Sequence, residues 1–580
     1  MVVCSQPRKL AATFLADRVA YEFSGGQVNY KKGKDGAVGV HVGGAKDVGK
    51  YTRIKFVTEG VLLNEMLHAR QRHLAATSGA SSDGPIGAAA KYNSKYAAVV
   101  LDEVHERSIV TDLLLGLFKE WLSSTDPSHR ASAPLLVVTS ATLDVQKFQD
   151  FFGAATLTGQ VPHLNIPGRM YPVIEHHLPI PDSASPIAAA AEKAFAIHAD
   201  VASDPGDILI FVPGQEECMT GSRAVQSLLN RKSSVLKRKA TVLQLYSKQL
   251  PEEQAMVRAT PPDGARKIIF TTNIAETSVT IDGVTHVVDT GLAKEAIFDQ
   301  QRGMTILREH VISKSSAIQR RGRAGRTQPG SCYRLYSEDD FAEMRQGQVP
   351  EILRSPLALE ILRLRLRGVD PRNFLWMDPP DPDDVTTAER ELELLGCVDA
   401  ATGEVTRTGQ VAVELEIDPK LARLVSLGLE RSIVRSALAV AAILSSGSDV
   451  WFRPPAAATA AVKEAAVAAR AALTAELGCH GDGDVILATR VLFKWETLGD
   501  DNDNRSSAAT STVSADDDRD DGDLSDLSGD EMGTNLHLRL HSPFLSHSAS
   551  WEICLDYFVR ATLHACISSL SCRCNASTCV

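Results

Sequence analysis

Short apolar runs alternate with polar, helix-forming stretches over the first 350 residues of the chain. The runs are rich in Val, Ile and Leu, which is typical of strands that are buried on both faces of a parallel sheet. They cover residues 54–57, 97–101, 135–138, 208–212, 241–245, 267–270 and 286–288. Strands that are separated by helical stretches predict an α/β fold with two doubly wound parallel sheets in tandem.

The same pattern divides the chain into segments. We assign the first sheet to residues 1–180 and the second to residues 181–350. From residue 351 on, the apolar residues recur at helical spacing, which predicts amphipathic helices over 351–415. Residues 416–499 are rich in alanine, the strongest helix former, and are predicted to be all-helical.

Charge is concentrated near the end of the chain. Between residues 500 and 531 there are twelve acidic residues but only Arg505 and Arg519 as bases, and the net charge of the whole chain is −11. This acidic, serine-rich composition predicts a disordered linker over 500–535, followed by a tail over 536–580 without a clear fold signal. The remainder of the chain is almost neutral, so the total charge does not exclude a nucleic-acid partner.

Composition also limits the compartment. The chain has no apolar stretch long enough to cross a membrane, and charges interrupt its first residues, so a secretory signal is not expected. Its ten cysteines are scattered and do not form a disulfide framework, which suits a reducing environment. We therefore expect an intracellular protein, nuclear or cytoplasmic.

The first candidate for chemistry is a pair of acids at the end of a predicted strand. Asp102 and Glu103 follow the apolar run 97–101, and His105 comes shortly after. Acids at the carboxyl end of a parallel strand face the ligand crevice, and nucleoside triphosphatases place a metal-binding Asp and a water-activating acid there. For the two acids alone, an acidic surface turn is the alternative.

Three further motifs follow predicted strands. Residues 319–326 interleave four arginines with glycines, which suits a triphosphate, although a solvated basic loop is the alternative. The hydroxyl and amide groups of 271–283 can contact phosphates and sugars without reading bases, although a polar capping loop is the alternative. Residues 140–142, Ser-Ala-Thr, either hydrogen-bond the acids or cap a helix.

Seven motifs together resemble the DEAH-box RNA helicases of superfamily 2. In order they read QPRKLAA, TEGVLL, DEVHERS, SAT, FVPGQEE, TNIAETSVTIDG and QRRGRAGR, within residues 3–450. Val104 replaces the usual Ala of the family. The resemblance implies two RecA-like domains that bind ATP in their cleft and single-stranded RNA across their tops. It further implies a winged-helix-like domain at 351–415 and a ratchet-like helical domain at 416–499.

The resemblance also implies roles for individual residues. Asp102 would hold Mg²⁺ and Glu103 would activate the attacking water. Gln319 would orient that water, while Arg323 and Arg326 would contact the γ-phosphate.

Other residues would couple the site or bind the substrates. His105, Ser140 and Thr142 would link the site to domain movement. Arg18 would stack on adenine, and Thr280 and Asp282 would lie near the ribose and the domain interface. The residues expected to face the RNA backbone, with little sequence specificity, are Gln6, Arg8, Thr58, Gly60, Gly214, Gln215, Thr272 and Asn273.

One element of the family is absent from the sequence. The family requires a phosphate-binding loop, G-x-x-x-x-G-K-[ST], before QPRKLAA, and none precedes Gln6. Residues 44–51 have the glycines and the lysine, but Tyr51 replaces the hydroxyl residue and a predicted strand follows. A functional loop opens a helix instead, so we interpret 44–51 as a glycine-rich loop.

These observations leave three hypotheses. The first is an ATP- and Mg²⁺-dependent RNA helicase whose recorded sequence lacks its N-terminus and which hydrolyses ATP poorly. Its expected partners are RNA and a protein activator. The second is a non-catalytic RNA-binding or scaffold protein with a helicase fold. The third is a DNA helicase, because contacts to the backbone do not settle the identity of the sugar.

Overall fold

The computed structural model describes most of residues 1–494. Its gaps are 27–31, 78–95, 126–129, 131–132, 142–143, 156–158, 167, 169–170, 182, 201–205, 233–235, 237, 248, 250, 262–263, 278–280, 300–301, 446–459, 480 and 482. The predicted acidic linker and tail therefore lie outside the described residues. The chain forms two compact units, one of Met1–Leu357 with Arg367–Thr386, and one of Ala358–Leu366 with the residues from Thr387 on.

The first sheet of unit 1 has six strands in the order β3-β2-β4-β1-β5-β6. The strands are β1 (Val2–Gln6), β2 (Val38–Val42), β3 (Ala45–Asp47), β4 (Ile54–Thr58), β5 (Ala98–Leu101) and β6 (Leu135–Val138). All neighbours are parallel except β2 and β3, which form a hairpin. Within the described chain β6 is an edge strand, and the side chain of Leu135 is 67% exposed there.

Helices cover the faces of this sheet. They span Lys9–Phe23, Glu59–Thr77, Ile109–Leu122 and Val145–Gly153. Ser108 and Asp144 cap the last two, each accepting a backbone N–H of the first turn, which satisfies donors that a helix leaves unpaired at its start. Helix Ile109–Leu122 buries most of its length, including Leu113, Leu114 and Phe118, because it carries apolar residues around almost its whole circumference.

The second sheet of unit 1 is wholly parallel, with the strand order β7-β14-β11-β8-β10-β9. Its strands are β7 (Val173–His177), β8 (Asp207–Phe211), β9 (Ala240–Leu245), β10 (Arg266–Thr271), β11 (Val284–Asp289) and β14 (Gly330–Arg334). Its helices are Pro186–Ala199, Gln215–Arg231, Pro251–Arg258, Ile274–Thr277, Lys314–Gly322 and Glu338–Glu343. Separate apolar clusters, one around Phe270 and one around Phe211, pack on its two faces.

An antiparallel hairpin interrupts this second domain. Strands β12 (Leu292–Asp299) and β13 (Met304–Val311) pair along their full length between β11 and helix Lys314–Gly322. Only part of its surface is buried: Ala293 is buried, whereas the side chains of Met304, Leu307 and Val311 are more than half exposed.

Unit 2 is helical. Its helices include Ala358–Arg365, Arg407–Leu415, Pro419–Glu430, Val434–Ser445 and Ala460–Glu476, and the helix Pro382–Leu394 begins in unit 1 and ends in unit 2. The predicted helical character of 351–499 is confirmed for the residues described. The winged-helix-like and ratchet-like assignments stay predictions.

The two predicted parallel sheets are confirmed, but the boundary between them is wrong: β7 lies within the segment 1–180 that was assigned to the first sheet, and it pairs with β14 in the second. Each of the seven predicted apolar runs coincides with a strand of one of the two parallel sheets. Strands β1, β2, β3, β7 and β14 and the hairpin of β12 and β13 were not predicted. In the part of the chain that the structure describes, no helix is both long and apolar enough to span a membrane.

Candidate nucleotide site at the strand ends

Asp102 lies directly after β5 and is held by side chains from the two neighbouring strands. Gln6, at the end of β1, donates its side-chain amide to Oδ2 of Asp102 over 2.7 Å. Thr139, directly after β6, donates its hydroxyl to Oδ1 over 2.6 Å, and the Glu103 N–H donates to the same atom over 3.0 Å. These three bonds fix the carboxylate and still leave it acceptor capacity for a cation.

Glu103 has a backbone conformation that few L-residues adopt. Its φ is +57°, in the left-handed region, and such a conformation is retained where the surrounding fold enforces it, often at functional sites. Burial raises the pKa of Glu103 to about 7, and the charges of Asp102 and Glu106 add to the effect, while Arg323 and Arg8 oppose it. A carboxylate with a pKa near neutrality suits a general base.

His105 and Ser140, which the resemblance treats as coupling residues, are brought together. The Nδ1 atom of His105 lies 3.1 Å from Ser140 Oγ and 3.4 Å from a carboxylate oxygen of Glu103. Burial lowers the pKa of the His105 imidazole. Its Nε2 atom is buried without a hydrogen-bond partner among the described residues. The third predicted member, Thr142, lies outside the described residues.

The arginine motif faces these acids from the second domain. Gln319 lies on helix Lys314–Gly322, and Arg323 follows that helix directly. Burial and the charge of Arg326 lower the pKa of Arg323 to about 10, while Glu103 acts in the opposite direction. Both polar atoms of the Gln319 amide and Nη1 of Arg323 are buried without a partner in the described chain. Arg326 is exposed.

Arg320 differs from the other arginines of the motif 319–326, because it neither faces a phosphate site nor lies in a solvated loop. Its side chain is 0% exposed and forms ion pairs with Glu276 at 2.8 Å and Asp289 at 2.7 Å. Arg321 is paired with Glu175 at 2.6 Å. Neither Glu276 nor Asp289 was predicted as part of a site, although Asp289 directly follows the predicted strand 286–288 and Glu276 lies inside a recognised motif.

Most residues expected to face RNA lie at the carboxyl ends of parallel strands. Arg8 follows β1, and Thr58 ends β4 beside Gly60 at the start of a helix. Gly214 and Gln215 follow β8, while Thr272 and Asn273 follow β10. Arg8 lies 3.4 Å from Glu106. Gln6 differs from this set, because its amide is buried and bonded to Asp102.

The predicted adenine and ribose contacts are not brought to the acids. Arg18 is exposed and pairs with Glu22 at 2.7 Å on its own helix, with its guanidinium over the Tyr21 ring. Asp282 is exposed in the loop before β11. Thr280 lies outside the described residues.

Comparison with known proteins agrees with this geometry. Residues 192–328 match the family model of the helicase conserved C-terminal domain. The crystal structure of the Escherichia coli DEAH/RHA helicase HrpB is similar over 77% of this chain, with 29% sequence identity and a TM-score of 0.60. These matches support assignment of the chain to the DExH-box helicases of superfamily 2. A structure of the E. coli DExH-box NTPase HrpB matches with the same identity and TM-score.

Two points follow for this chain. The two parallel sheets are tandem RecA-like domains, and the chain spans about half of the HrpB chains, 51% and 49%. The loop-like motif at residues 44–51 contains β3 and is followed by β4 rather than by a helix. It therefore does not offer phosphate the row of free N–H groups that a helix start provides.

Proposed function

We propose that this chain carries the acid and arginine halves of the ATP site of an RNA helicase. The observation that supports this most directly is Glu103, a base with a raised pKa that stands beside Asp102 and in the field of Arg323 from the other RecA-like domain. Two domains that share one nucleotide can convert its hydrolysis into relative movement, which is the basis of translocation on a strand.

The donor atoms fit a nucleotide with Mg²⁺. No cluster of three or more metal-ligating side chains exists among the described residues, but Mg²⁺ is usually held by one or two carboxylates, waters and substrate phosphates. Asp102 supplies one such carboxylate. The buried, unpartnered amide of Gln319 and Nη1 of Arg323 carry a desolvation cost that an oxyanion and a water would remove.

Each residue then has a defined task. When bound, Mg²⁺ offsets the charge on the phosphate oxygens. Glu103 accepts a proton from the attacking water, which Gln319 orients. Arg323 stabilises the charge that develops on the transferred phosphoryl group. His105 joins Glu103 to Ser140, so displacement of the β6 end changes the position of the base.

Hydrolysis by this chain is proposed to be slow. Among the described residues no strand is followed by a glycine-rich loop that opens a helix with the lysine and hydroxyl of the family, so the β- and γ-phosphates lack their cradle. Loss of such contacts removes several kcal/mol of transition-state stabilisation. This favours a second candidate function, RNA binding without turnover, which the same strand-end groups could perform.

RNA is the proposed polymer. Arg8, Thr58, Gly214, Thr272 and Asn273 offer cationic, hydroxyl, backbone and amide groups at the same ends of the parallel strands. Such groups contact phosphates and sugars and set register without reading bases. A DNA strand offers the same phosphates, so competition between oligouridine and oligothymidine decides between the two polymers.

Steady-state ATP hydrolysis with and without oligouridine tests the proposal. Glu103→Gln should abolish the RNA-stimulated rate and retain binding of Mg²⁺–nucleotide. The exposed Glu192 on another helix provides the matched control, and Glu192→Gln should behave as the parent chain. Equal rates in the parent and Glu103→Gln would contradict the assignment. Binding of RNA without any binding of Mg²⁺–nucleotide would favour the second candidate.

A further inference from the structure

The buried ion pair between Arg320 and Glu276 is not used by the chemistry above. Arg320 donates through Nε to Glu276 and through Nη1 to Asp289, and its guanidinium lies 4.9 Å from the centroid of the Phe211 ring. Ser316, on the same helix as Arg320, also donates to Glu276 at 3.1 Å. Helix Lys314–Gly322 is therefore attached to Glu276 at two points.

The two partners lie next to different groups. Glu276 belongs to the short helix Ile274–Thr277, which begins directly after Asn273. Arg320 is adjacent to Gln319 on its own helix and lies one turn before Arg323. One ion pair thus joins the loop of the proposed RNA contacts to the helix of the proposed phosphate contacts.

The partners of Arg320 differ in how firmly they are held. Asp289 is the end of β11 and accepts the Tyr336 hydroxyl at 2.9 Å and the Gly291 N–H at 3.0 Å. Among the described residues, the hydrogen bonds to the Glu276 carboxylate come from the helix that it holds, through Arg320 and Ser316. Glu276 is consequently the partner that moves with the loop, whereas Asp289 stays with the sheet.

We propose that Glu276 and Arg320 are positioning residues that transmit RNA contact at Thr272 and Asn273 to Gln319 and Arg323. The inference rests on the proposed function. Ion pairs in a water-free interior depend steeply on distance and angle. A shift of the Asn273 loop on binding a strand therefore moves Arg320 and the residues on either side of it.

Hydrogen exchange of the free chain tests the mechanical link without any ligand. Glu276→Ala should accelerate exchange at least tenfold both in the loop 272–277 and in helix 314–322. Glu276→Gln keeps a hydrogen-bond acceptor for Arg320 and should restore most of the protection in helix 314–322. Asp207 provides the control. It pairs with Lys267 at the amino-terminal ends of β8 and β10, away from the proposed site, and Asp207→Ala should leave the exchange of helix 314–322 unchanged.

A second arm adds oligouridine to the parent chain and to Glu276→Gln. In the parent, RNA should change exchange in helix 314–322; in the variant, RNA should bind but change exchange only in the loop. Exchange in helix 314–322 that is unchanged in Glu276→Ala would overturn the link. An equal response of the helix to RNA in both chains would overturn the transmission. If oligouridine does not bind the parent, the RNA assignment itself fails, while the first arm still decides the link.

Discussion

A buried arginine next to the acidic motif gives the sharpest test of the structure itself. Arg107 follows the Glu103–His105 turn and is almost fully buried. Asp112 accepts from it through both carboxylate oxygens, at 2.8 and 3.0 Å, and Asp378 accepts at 2.5 Å. Lys147 also donates to Asp378, at 2.6 and 2.7 Å. The guanidinium therefore has one fully buried carboxylate partner, Asp112, and one partly exposed carboxylate partner, Asp378.

The two carboxylates should differ greatly in energetic weight. Asp112→Ala removes the fully buried partner and leaves the charge of Arg107 with one of these three hydrogen bonds, which costs about 3–5 kcal/mol. Asp378→Ala leaves the two hydrogen bonds between Arg107 and Asp112 intact. The other partner of Asp378, Lys147, is 36% exposed and can be hydrated, so the loss of stability should be about 1 kcal/mol.

Native-state hydrogen exchange in helix Ile109–Leu122 measures this difference, since Asp112 lies within that helix. The expected acceleration is roughly two to four orders of magnitude for Asp112→Ala and about tenfold or less for Asp378→Ala. Asp112→Asn keeps the shape and one acceptor, and should fall between them if Asp112→Ala does not fold. Equal effects of the two alanine substitutions would refute the reasoning.

Two further predictions concern the site and the packing. Because the general base must be ionised, the hydrolysis rate should rise with pH through the Glu103 pKa of about 7. Glu106→Gln removes a charge that raises this pKa and should move the rise of the rate to lower pH. A rate independent of pH between 5 and 8 would contradict that role for Glu103. A Cβ at Gly221 would lie 2.3 Å from the Phe270 ring, whereas one at Gly60 would meet nothing within 4 Å. Gly221→Ala should therefore lower the free energy of unfolding by about 1–3 kcal/mol and Gly60→Ala should not, as urea titration would show.

The sheets could be predicted because their strands are buried on both faces. A strand such as β10 carries apolar residues without alternation, and this pattern is legible without knowledge of its neighbours. The acids could be identified for a similar reason, since a parallel strand that ends in carboxylates presents them at the ligand edge of the sheet. The order and spacing of the motifs then indicated the family.

The parts that were not predicted depend on tertiary partners. Strand β1 ends in Ser5 and Gln6, two polar residues that are buried only because the neighbouring strands supply their hydrogen bonds. Arg320 has the same sequence signature as the exposed Arg326. Its burial depends on Glu276 and Asp289, which are distant in sequence, and a local pattern does not contain that information.

The central claim is that Arg323 acts on the terminal phosphate of a nucleotide held at Asp102. Titration of the chain with Mg²⁺ and either ADP or β,γ-imido-ATP tests it directly. Loss of a charge-assisted hydrogen bond costs about 1.5–3 kcal/mol. Arg323→Ala should therefore weaken binding of the triphosphate analogue at least tenfold and change binding of ADP little. Arg321→Ala, which removes the neighbouring arginine that pairs with Glu175, should affect neither nucleotide. An equal loss for both nucleotides in Arg323→Ala, or no Mg²⁺-dependent binding to the parent chain, would contradict the account.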